Sequence, residues 1–297
     1  MNILVIGHSV VDSIIEDKRC SIKPGGIFYT VVSLLSQIEQ EDKIFLCSSI
    51  DNNNAVLFRD VYDRVEKKFI QIINSISRVE LVLSKDGERK ETYSKIAENL
   101  MLPEKDLNIF NGILINMITG YDLSLNQLKK LRRNYKGIIY LDVHTLSRGV
   151  DQNLNRIFRS IKNFSDWAKC IDILQANESE LKTLSNKSEE INIIEELFSY
   201  GINQVVITRS DKGATVYYND LNSINYIYKE ALKLKTINKV GCGDVFGAVY
   251  FYNYTKNKNI LLALEKANLY AGLSTTYSET KDFLNLKKDA QERISKK

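Results

Sequence analysis

The residues best suited to chemistry are a glycine turn, Gly241-Cys242-Gly243, and the Asp244 that follows it at the start of an apolar segment. Small residues let successive backbone N–H groups converge on one point, and a helix that begins there adds the positive end of its dipole. The turn would therefore suit an anion, with Asp244 placed to take a proton from a hydroxyl. Glycines followed by Asp are also ordinary helix-capping chemistry, so the turn alone leaves both interpretations open.

Three further features that could bind a ligand lie near predicted strand ends or helix starts. Asp12 follows the first predicted strand, in the region where open parallel sheets place ligands. The pair Gly25-Gly26 opens a predicted helix and permits close backbone approach to a hydroxyl or an anion. Asn177 and Glu180 stand one helical turn apart after another strand, where they either face one ligand or form a capping box.

The elements that must position these residues follow an α/β pattern, in which short apolar runs alternate with longer amphipathic segments. This alternation predicts a mainly parallel sheet with helices between its strands. The predicted strands are Ile3–Ile6, Lys43–Ser48, Gly112–Asn116, Ile138–Val143, Ile171–Gln175 and Val205–Thr208. The predicted helices are Ile27–Glu39, Asn54–Phe69, Ser124–Tyr135, Gln152–Asn163, Ser188–Tyr200, Gly243–Tyr254 and Ile260–Tyr277.

No linker, repeat or low-complexity block divides the 297 residues, which favours a single domain over 1–297. Segments near 13–24 and 79–94 interrupt the alternation, and the second contains a hairpin-like turn at 85–88. Together they are expected to form a small β lid.

Composition excludes several classes of protein. A net charge of +4, from 41 Lys and Arg against 37 Asp and Glu, is too small to indicate a nucleic-acid partner. The four cysteines lack paired metal-ligand spacing, and the N-terminal apolar run is too short for a membrane segment. We therefore expect a cytoplasmic protein without nucleic-acid or membrane partners.

Taken in order along the chain, these motifs resemble the PfkB or ribokinase-like family of carbohydrate kinases across nearly its whole length. Gly241-Cys242-Gly243-Asp244 is similar to the family's Gly-Ala-Gly-Asp, and Asn177-x-x-Glu180 is similar to its Asn-x-x-Glu. The segment from Thr208 to Gly213 matches Thr-x-Gly-x-x-Gly except at Ser210. The resemblance implies a three-layer α/β/α fold with a mainly parallel central sheet and a small β lid.

The same resemblance implies a role for each matching residue. Asp244 would be the general base, and Gly241, Cys242 and Gly243 would form the anion hole. The substrate-binding residues would be Asp12, Gly25, Gly26 and Thr30. The nucleotide-binding residues would be Asn177, Thr208, Ser210, Gly213 and Asn268. Glu180 would act on a metal through water, with Asn238 as a second metal candidate.

The resemblance further implies ATP and Mg²⁺ as cofactors, and a homodimer through the lid. A monovalent cation is a further candidate, although Asn238-Lys239 stands where the family has Asp-Thr. The resulting hypothesis is a kinase that phosphorylates a hydroxyl of a small sugar or related polyol. A nucleoside or inositol kinase of the same family, or a degenerate kinase fold kept as a regulator or scaffold, remains the alternative. His144 is interpreted as structural, since no catalytic partner is recognisable for it in the sequence.

Overall fold

The structure is a computed structural model that describes residues 1–16, 19–83, 89–220 and 223–295. The predicted turn at 85–88 lies outside these residues. The strands are β1 Asn2–Ile6, β2 Ser9–Glu16, β3 Arg19–Gly26, β4 Lys43–Ile50, β5 Glu66–Ile72, β6 Ser77–Leu83, β7 Arg89–Lys95, β8 Gly112–Asn116, β9 Ile138–Asp142, β10 Arg148–Val150, β11 Arg156–Phe158, β12 Ile173–Asn177, β13 Gln204–Thr208, β14 Ala214–Asp220 and β15 Ser223–Lys229. The helices are α1 Ile27–Leu35, α2 Ala55–Tyr62, α3 Leu125–Asn134, α4 Phe164–Ala168, α5 Glu178–Leu181, α6 Glu190–Ser199, α7 Cys242–Asn257, α8 Ile260–Ser274 and α9 Leu286–Ser295.

A nine-stranded sheet forms the centre of the molecule, in the order β15-β14-β13-β12-β9-β8-β1-β4-β5. The pairs from β5 across to β13 are parallel, whereas β14 and β15 continue the sheet as antiparallel strands. The expectation of a mainly parallel sheet is thus confirmed. Parallel strands place their carboxyl ends along one edge, where ligands of such folds bind.

Side chains of β1 show why helices must cover both faces of this sheet. Ile3 and Val5 enter one hydrophobic cluster with α1, α7 and α8, whereas Leu4 and Ile6 enter another with α3 and α6. Successive residues of a strand point to opposite faces, so an entirely apolar strand requires a core on each side. The result is the expected three-layer α/β/α architecture.

Four strands form a second sheet, in the order β3-β2-β6-β7, which we call the small sheet. The segments 13–24 and 79–94, which break the sequence alternation, lie largely within it. Val79, Leu81 and Tyr93 are buried. The small sheet therefore turns an apolar face towards the body of the protein.

The hairpin formed by β10 and β11 corrects the predicted helix at Gln152–Asn163. Residues 156–158 pair antiparallel with residues 148–150 instead. The Asp151 carboxylate accepts from the N–H groups of Asn153 and Asn155 at 2.8 and 2.9 Å. A short polar side chain that bonds nearby backbone amides favours a turn over a helix.

The predicted helix at Asn54–Phe69 is wrong in its second half. The helix ends at Tyr62, and residues 66–72 form β5, which pairs with β4 at the edge of the central sheet. Pairing with an available strand overrides the helical spacing of the local sequence. No helix within the described ranges is long and apolar enough to cross a membrane.

Candidate active site

A cavity of about 1010 Å³ opens at the carboxyl ends of the parallel strands. Residues from the ends of β9, β12 and β13, the small sheet and the start of α7 all line it. It contains twelve of the residues singled out from the sequence: Asp12, Gly26, Asn177, Glu180, Thr208, Ser210, Gly213, Gly241, Cys242, Gly243, Asp244 and Asn268. Motifs that are more than two hundred residues apart in sequence thus share one site.

The glycine turn begins α7, as the sequence predicts. Gly241 is the N-cap residue with φ of 79°, and a Cβ there would lie 2.5 Å from the Tyr29 ring, so both backbone and space require glycine. Val245 N donates to the Gly241 carbonyl at 2.9 Å, which begins the hydrogen-bond pattern of the helix. Amides of the first helical turn precede any intrahelical acceptor and point along the axis, which makes this turn a suitable anion site.

Asp244 is held by a residue that the sequence did not single out. Asn116, at the end of β8, donates from Nδ2 to Asp244 Oδ1 at 2.6 Å and to Thr30 Oγ1 at 3.0 Å. Asn116 and Thr30 are each 1% exposed. A chain of buried polar groups therefore fixes the rotation of the carboxylate. The only sequence signal for Asn116 is a polar residue that closes an apolar strand.

One end of the cavity is formed by the small sheet. Asp12 is buried there, and a Cβ on Gly25 would lie 2.1 Å from its Oδ2. Gly26 has φ of 63° and lies against the carbonyl of His8, which accepts from Ile27 N at 3.0 Å. The glycine pair is thus required by the carboxylate on one side and by the backbone on the other.

Arg156 lines the same end, and sequence reasoning missed it. Its guanidinium pairs with the buried Glu91 of β7, contacts the Tyr93 hydroxyl and donates to the Ile118 carbonyl at 3.1 Å. The ring of Tyr93 lies 4.8 Å from the guanidinium carbon. Two carboxylates, those of Asp12 and Glu91, thus stand against one guanidinium at this end of the cavity.

Asn177 and Glu180 form the capping box that was one of the two interpretations of their spacing. Asn177 Oδ1 accepts from Glu180 N at 2.9 Å, and Glu180 Oε2 accepts from Asn177 N at 2.9 Å. The other carboxylate oxygen, Oε1, lies 3.7 Å from His144 Nδ1 and 3.8 Å from an Arg148 nitrogen. Capping therefore uses one oxygen of Glu180, and the other is directed towards cationic or ionisable neighbours that line the cavity.

Asp142 adds a further carboxyl group to the cavity wall. Burial raises its pKa well above the ordinary value, and the charges of Glu180 and Asp244 raise the pKa further. Gln175 Nε2 donates to Asp142 Oδ2 at 2.8 Å and to the Gly243 carbonyl at 3.2 Å. Gln175 thus ties this carboxyl group to the glycine turn.

The opposite end of the cavity is formed by the loop after β13 and by α8. Gly213 has φ of 107°, and a Cβ there would lie 2.0 Å from the Lys229 carbonyl, so the loop passes very close to β15. Ser210 has φ of 53°, a conformation that favours glycine, which is the residue of the family motif at this position. Asn268 Nδ2 donates to the Lys229 carbonyl at 3.2 Å and holds the end of β15 against α8.

Three of the predicted site residues are not among those that line the cavity: Gly25, Thr30 and Asn238. Gly25 lies behind the Asp12 carboxylate, and Thr30 lies behind Asn116. Asn238 Oδ1 accepts from Val240 N at 2.9 Å and so shapes the approach to the glycine turn.

Two carboxyl groups of the cavity, those of Glu180 and Asp142, are candidates to hold Mg²⁺. Within the described part of the chain, no group of three or more His, Cys, Asp or Glu side chains converges to hold a metal. Mg²⁺ in phosphoryl-transfer sites keeps several waters and takes one or two carboxylates together with phosphate oxygens. Glu180 and Asp142 both line the cavity and interact electrostatically, which suits a cation that arrives with its phosphates.

Comparison with known sequences gives a family and a distant relative. Residues 144–287 match the model of the pfkB family carbohydrate kinases. A deoxyribokinase of Salmonella typhi is 26% identical over 113 residues, which are 36% of this chain and 35% of the relative. The match thus spans about a third of the relative's length.

Comparison with solved structures covers the whole chain. A ribokinase of Arabidopsis thaliana complexed with ribose and ATP has a TM-score of 0.77 at 16% identity, over 98% of this chain and 97% of that one. A pyrophosphate-dependent kinase in the ribokinase family, complexed with a pyrophosphate analog and myo-inositol, has a TM-score of 0.74 at 16% identity, over 93% and 95% of the two chains. These likenesses show the ribokinase fold. Residues 144–287, just under half of the chain, are thus similar to the pfkB family of carbohydrate kinases, and the likeness to the ribokinase fold extends over nearly the whole chain.

Proposed function

We propose that the protein transfers the terminal phosphoryl group of ATP to a hydroxyl of a small sugar or related polyol. The observation that carries this proposal is the shared cavity, which contains Asp12 at one end, Asn268 at the other and Asp244 at the start of α7. Phosphoryl transfer depends on positioning and on stabilisation of charge more than on covalent chemistry from the protein.

Asp244 is the general base of the proposed reaction. It accepts the proton of the acceptor hydroxyl while that oxygen forms a bond to the terminal phosphorus and the bond to the leaving phosphate breaks. The amides of Gly241, Cys242 and Gly243, with the positive end of α7, stabilise the charge on the transferred group. Asn116 positions Asp244, and Thr30 acts through Asn116.

The acceptor binds at the small sheet, where Asp12 receives its hydroxyls and Gly26 allows it to approach, while Gly25 leaves room for the Asp12 carboxylate. The two carboxylates of Asp12 and Glu91 outnumber the guanidinium of Arg156, which is already bonded to Glu91. This balance disfavours an acceptor that carries a phosphate and favours a neutral polyol.

The donor binds between the glycine turn and α8, where Asn177, Thr208, Ser210, Gly213 and Asn268 border it. Glu180, through water, and Asp142 would hold Mg²⁺, which supplies neutralisation of phosphate charge when it is bound. Asn238 is the candidate ligand for a second metal or a monovalent cation. Activity measured with and without K⁺ tests whether a monovalent cation takes part.

An ADP-release assay with Mg²⁺ and ATP tests the proposal over ribose, deoxyribose, myo-inositol, nucleosides and ribose 5-phosphate, in wild type and Asp244→Ala. We expect turnover of a neutral acceptor that falls by about 10²- to 10⁴-fold in the variant. Inorganic pyrophosphate is included as a second donor, because one structural relative uses it. ATP binding without turnover of any acceptor would instead favour a regulator or scaffold.

A further inference from the structure

The hairpin formed by β10 and β11 brings a second arginine into the cavity. Arg148 opens β10, directly opposite Phe158 of β11, and it lines the cavity together with Glu180 and Asp244. The guanidinium carbon lies 4.8 Å from the centre of the Phe158 ring. An aromatic face holds a guanidinium in place without using its N–H groups.

The guanidinium of Arg148 has hydrogen-bonding groups that no residue of the described ranges engages. Its closest carboxylate oxygen, Glu180 Oε1, is 3.8 Å away, beyond hydrogen-bond distance. No side-chain hydrogen bond of Arg148 is formed within the described ranges, and its Nε is buried without a partner. A guanidinium carries five N–H donors in a planar fork, so this side chain can still donate hydrogen bonds to the oxygen atoms of a ligand.

Arg156 on the facing strand differs from Arg148 because its guanidinium is bonded within the protein. Its guanidinium is bonded to Glu91, the Tyr93 hydroxyl and the Ile118 carbonyl, so it has a structural task between the hairpin and the small sheet. The Nε of Arg156 is buried without a partner, as is that of Arg148, so the two arginines differ in the use of their terminal N–H groups. Arg148 is therefore positioned for a ligand that the protein itself does not contain.

We propose that Arg148 binds the terminal phosphoryl group of the donor and stabilises its charge during transfer. The proposal rests on the proposed kinase function. A planar fork matches two phosphate oxygens at once, and the glycine turn faces the same cavity. Arg148 neither gives nor takes a proton, because the proton of the acceptor hydroxyl goes to Asp244.

The competing explanation is that Arg148 only neutralises the buried Glu180. That role predicts a loss of stability on substitution, with little change in donor affinity or kcat in the folded fraction. Phosphate binding predicts instead a loss of donor affinity and kcat, with little change in stability. Measurements of ATP affinity, turnover and melting temperature on the same variants therefore separate the two.

The experiment compares Arg148→Met and Arg148→Lys with Arg159→Met, an exposed arginine that follows the same hairpin and is not among the cavity-lining residues. Binding of ATP and of inorganic pyrophosphate is measured by calorimetry in the Asp244→Ala background, where turnover is suppressed. We expect Arg148→Met to lower kcat/KM for the donor by about 10²- to 10³-fold. Arg148→Lys should recover part of this loss, and added guanidinium should partly rescue Arg148→Met.

Wild-type donor affinity and kcat in Arg148→Met would overturn the proposal and leave the kinase function standing. Equal losses in Arg148→Met and Arg159→Met would also overturn it, since they would indicate a general charge effect. If the wild type phosphorylates no acceptor, the proposed function fails, and the calorimetric comparison still decides whether Arg148 binds phosphate. Failure of the Arg148-containing protein to bind either ATP or pyrophosphate overturns both proposals.

Discussion

Asn116 donates a hydrogen bond of 2.6 Å to the carboxylate of Asp244, across 128 positions of sequence. Because a hydrogen bond to a charged group contributes about 1.5–3 kcal/mol, Asn116→Ala is expected to lower kcat by about 10- to 100-fold. The donor KM should stay near its wild-type value.

Thr30→Val serves as the graded comparison for Asn116→Ala. It removes the other partner of Asn116 and leaves the bond to Asp244, so we expect a smaller loss of kcat. Steady-state kinetics across pH, on variants with matched circular dichroism, measure both effects. An unchanged kcat in Asn116→Ala would contradict the positioning role.

The two glycines of the anion turn should respond differently to alanine. Gly241→Ala places a Cβ 2.5 Å from Tyr29 and strains a residue with φ of 79°, so we expect a loss of about 1–3 kcal/mol in the free energy of unfolding. Gly243 has open space around its missing Cβ. Gly243→Ala should keep the wild-type melting temperature and lose activity, because the new methyl group enters the cavity.

Denaturant unfolding and the kinase assay together check this pair. Similar destabilisation of both variants would show that the turn is required only for folding. Full activity in Gly243→Ala would show that the phosphoryl group does not approach this residue.

Ser210→Gly is expected to stabilise the protein. Ser210 adopts φ of 53°, and the left-handed conformation costs a residue with a side chain about 1–2 kcal/mol. The greater flexibility of glycine in the unfolded chain offsets part of this gain, so we expect an increase of up to about 1 kcal/mol in the free energy of unfolding. The neighbouring Asp211, whose φ is not positive, is the control: Asp211→Gly should lower stability in the same urea titration.

Asp142→Asn tests the burial of a carboxyl group beside Glu180 and Asp244. Because the folded-state pKa of Asp142 is raised, the folded protein holds this proton more tightly than the unfolded chain does. Ionisation of Asp142 therefore lowers stability as the pH rises from near the ordinary value of 3.8 towards the raised pKa.

The asparagine variant lacks this titration and should melt higher than wild type at neutral pH, by about 2–4 °C for each kcal/mol regained. The difference should shrink as the pH falls towards 4, where the aspartate is protonated in the folded protein and the unfolded chain begins to take up the proton as well. Melting curves from pH 4 to 8 measure it. A variant less stable than wild type at pH 7 would mean that the charged form is stabilised in the fold.

Local sequence is sufficient to predict the strands that are buried on both faces. β1 and β8 are short apolar runs bounded by polar residues, and their predicted bounds agree with the structure within one residue. The glycine turn before α7 was equally recognisable, because its conformation needs residues without bulky side chains. These features are set by interactions among near neighbours in the chain.

Contacts between distant segments could not be predicted in the same way. Asn116, Arg148 and Arg156 are single polar residues whose side chains have hydrogen-bond or ion-pair partners 30 or more positions away, and no spacing rule connects them. The β10–β11 hairpin lies where the apolar spacing predicts a helix, because hydrogen bonds from nearby backbone N–H groups to Asp151 favour a turn instead. No neighbour in the sequence identifies a partner for His144, because its approach to Glu180 depends on contacts between segments that are distant in the chain.

The hairpin also determines how the small sheet is available to another molecule. Tyr93 N donates to the Leu154 carbonyl at 3.0 Å, and Thr92 forms an isolated antiparallel β-bridge with Asn155. The middle of the outer edge of β7 is therefore already paired within the chain. Backbone groups engaged in this way cannot accept a further strand. A second copy that extends the small sheet by strand addition must therefore do so along β3, where Ile22 is 45% exposed.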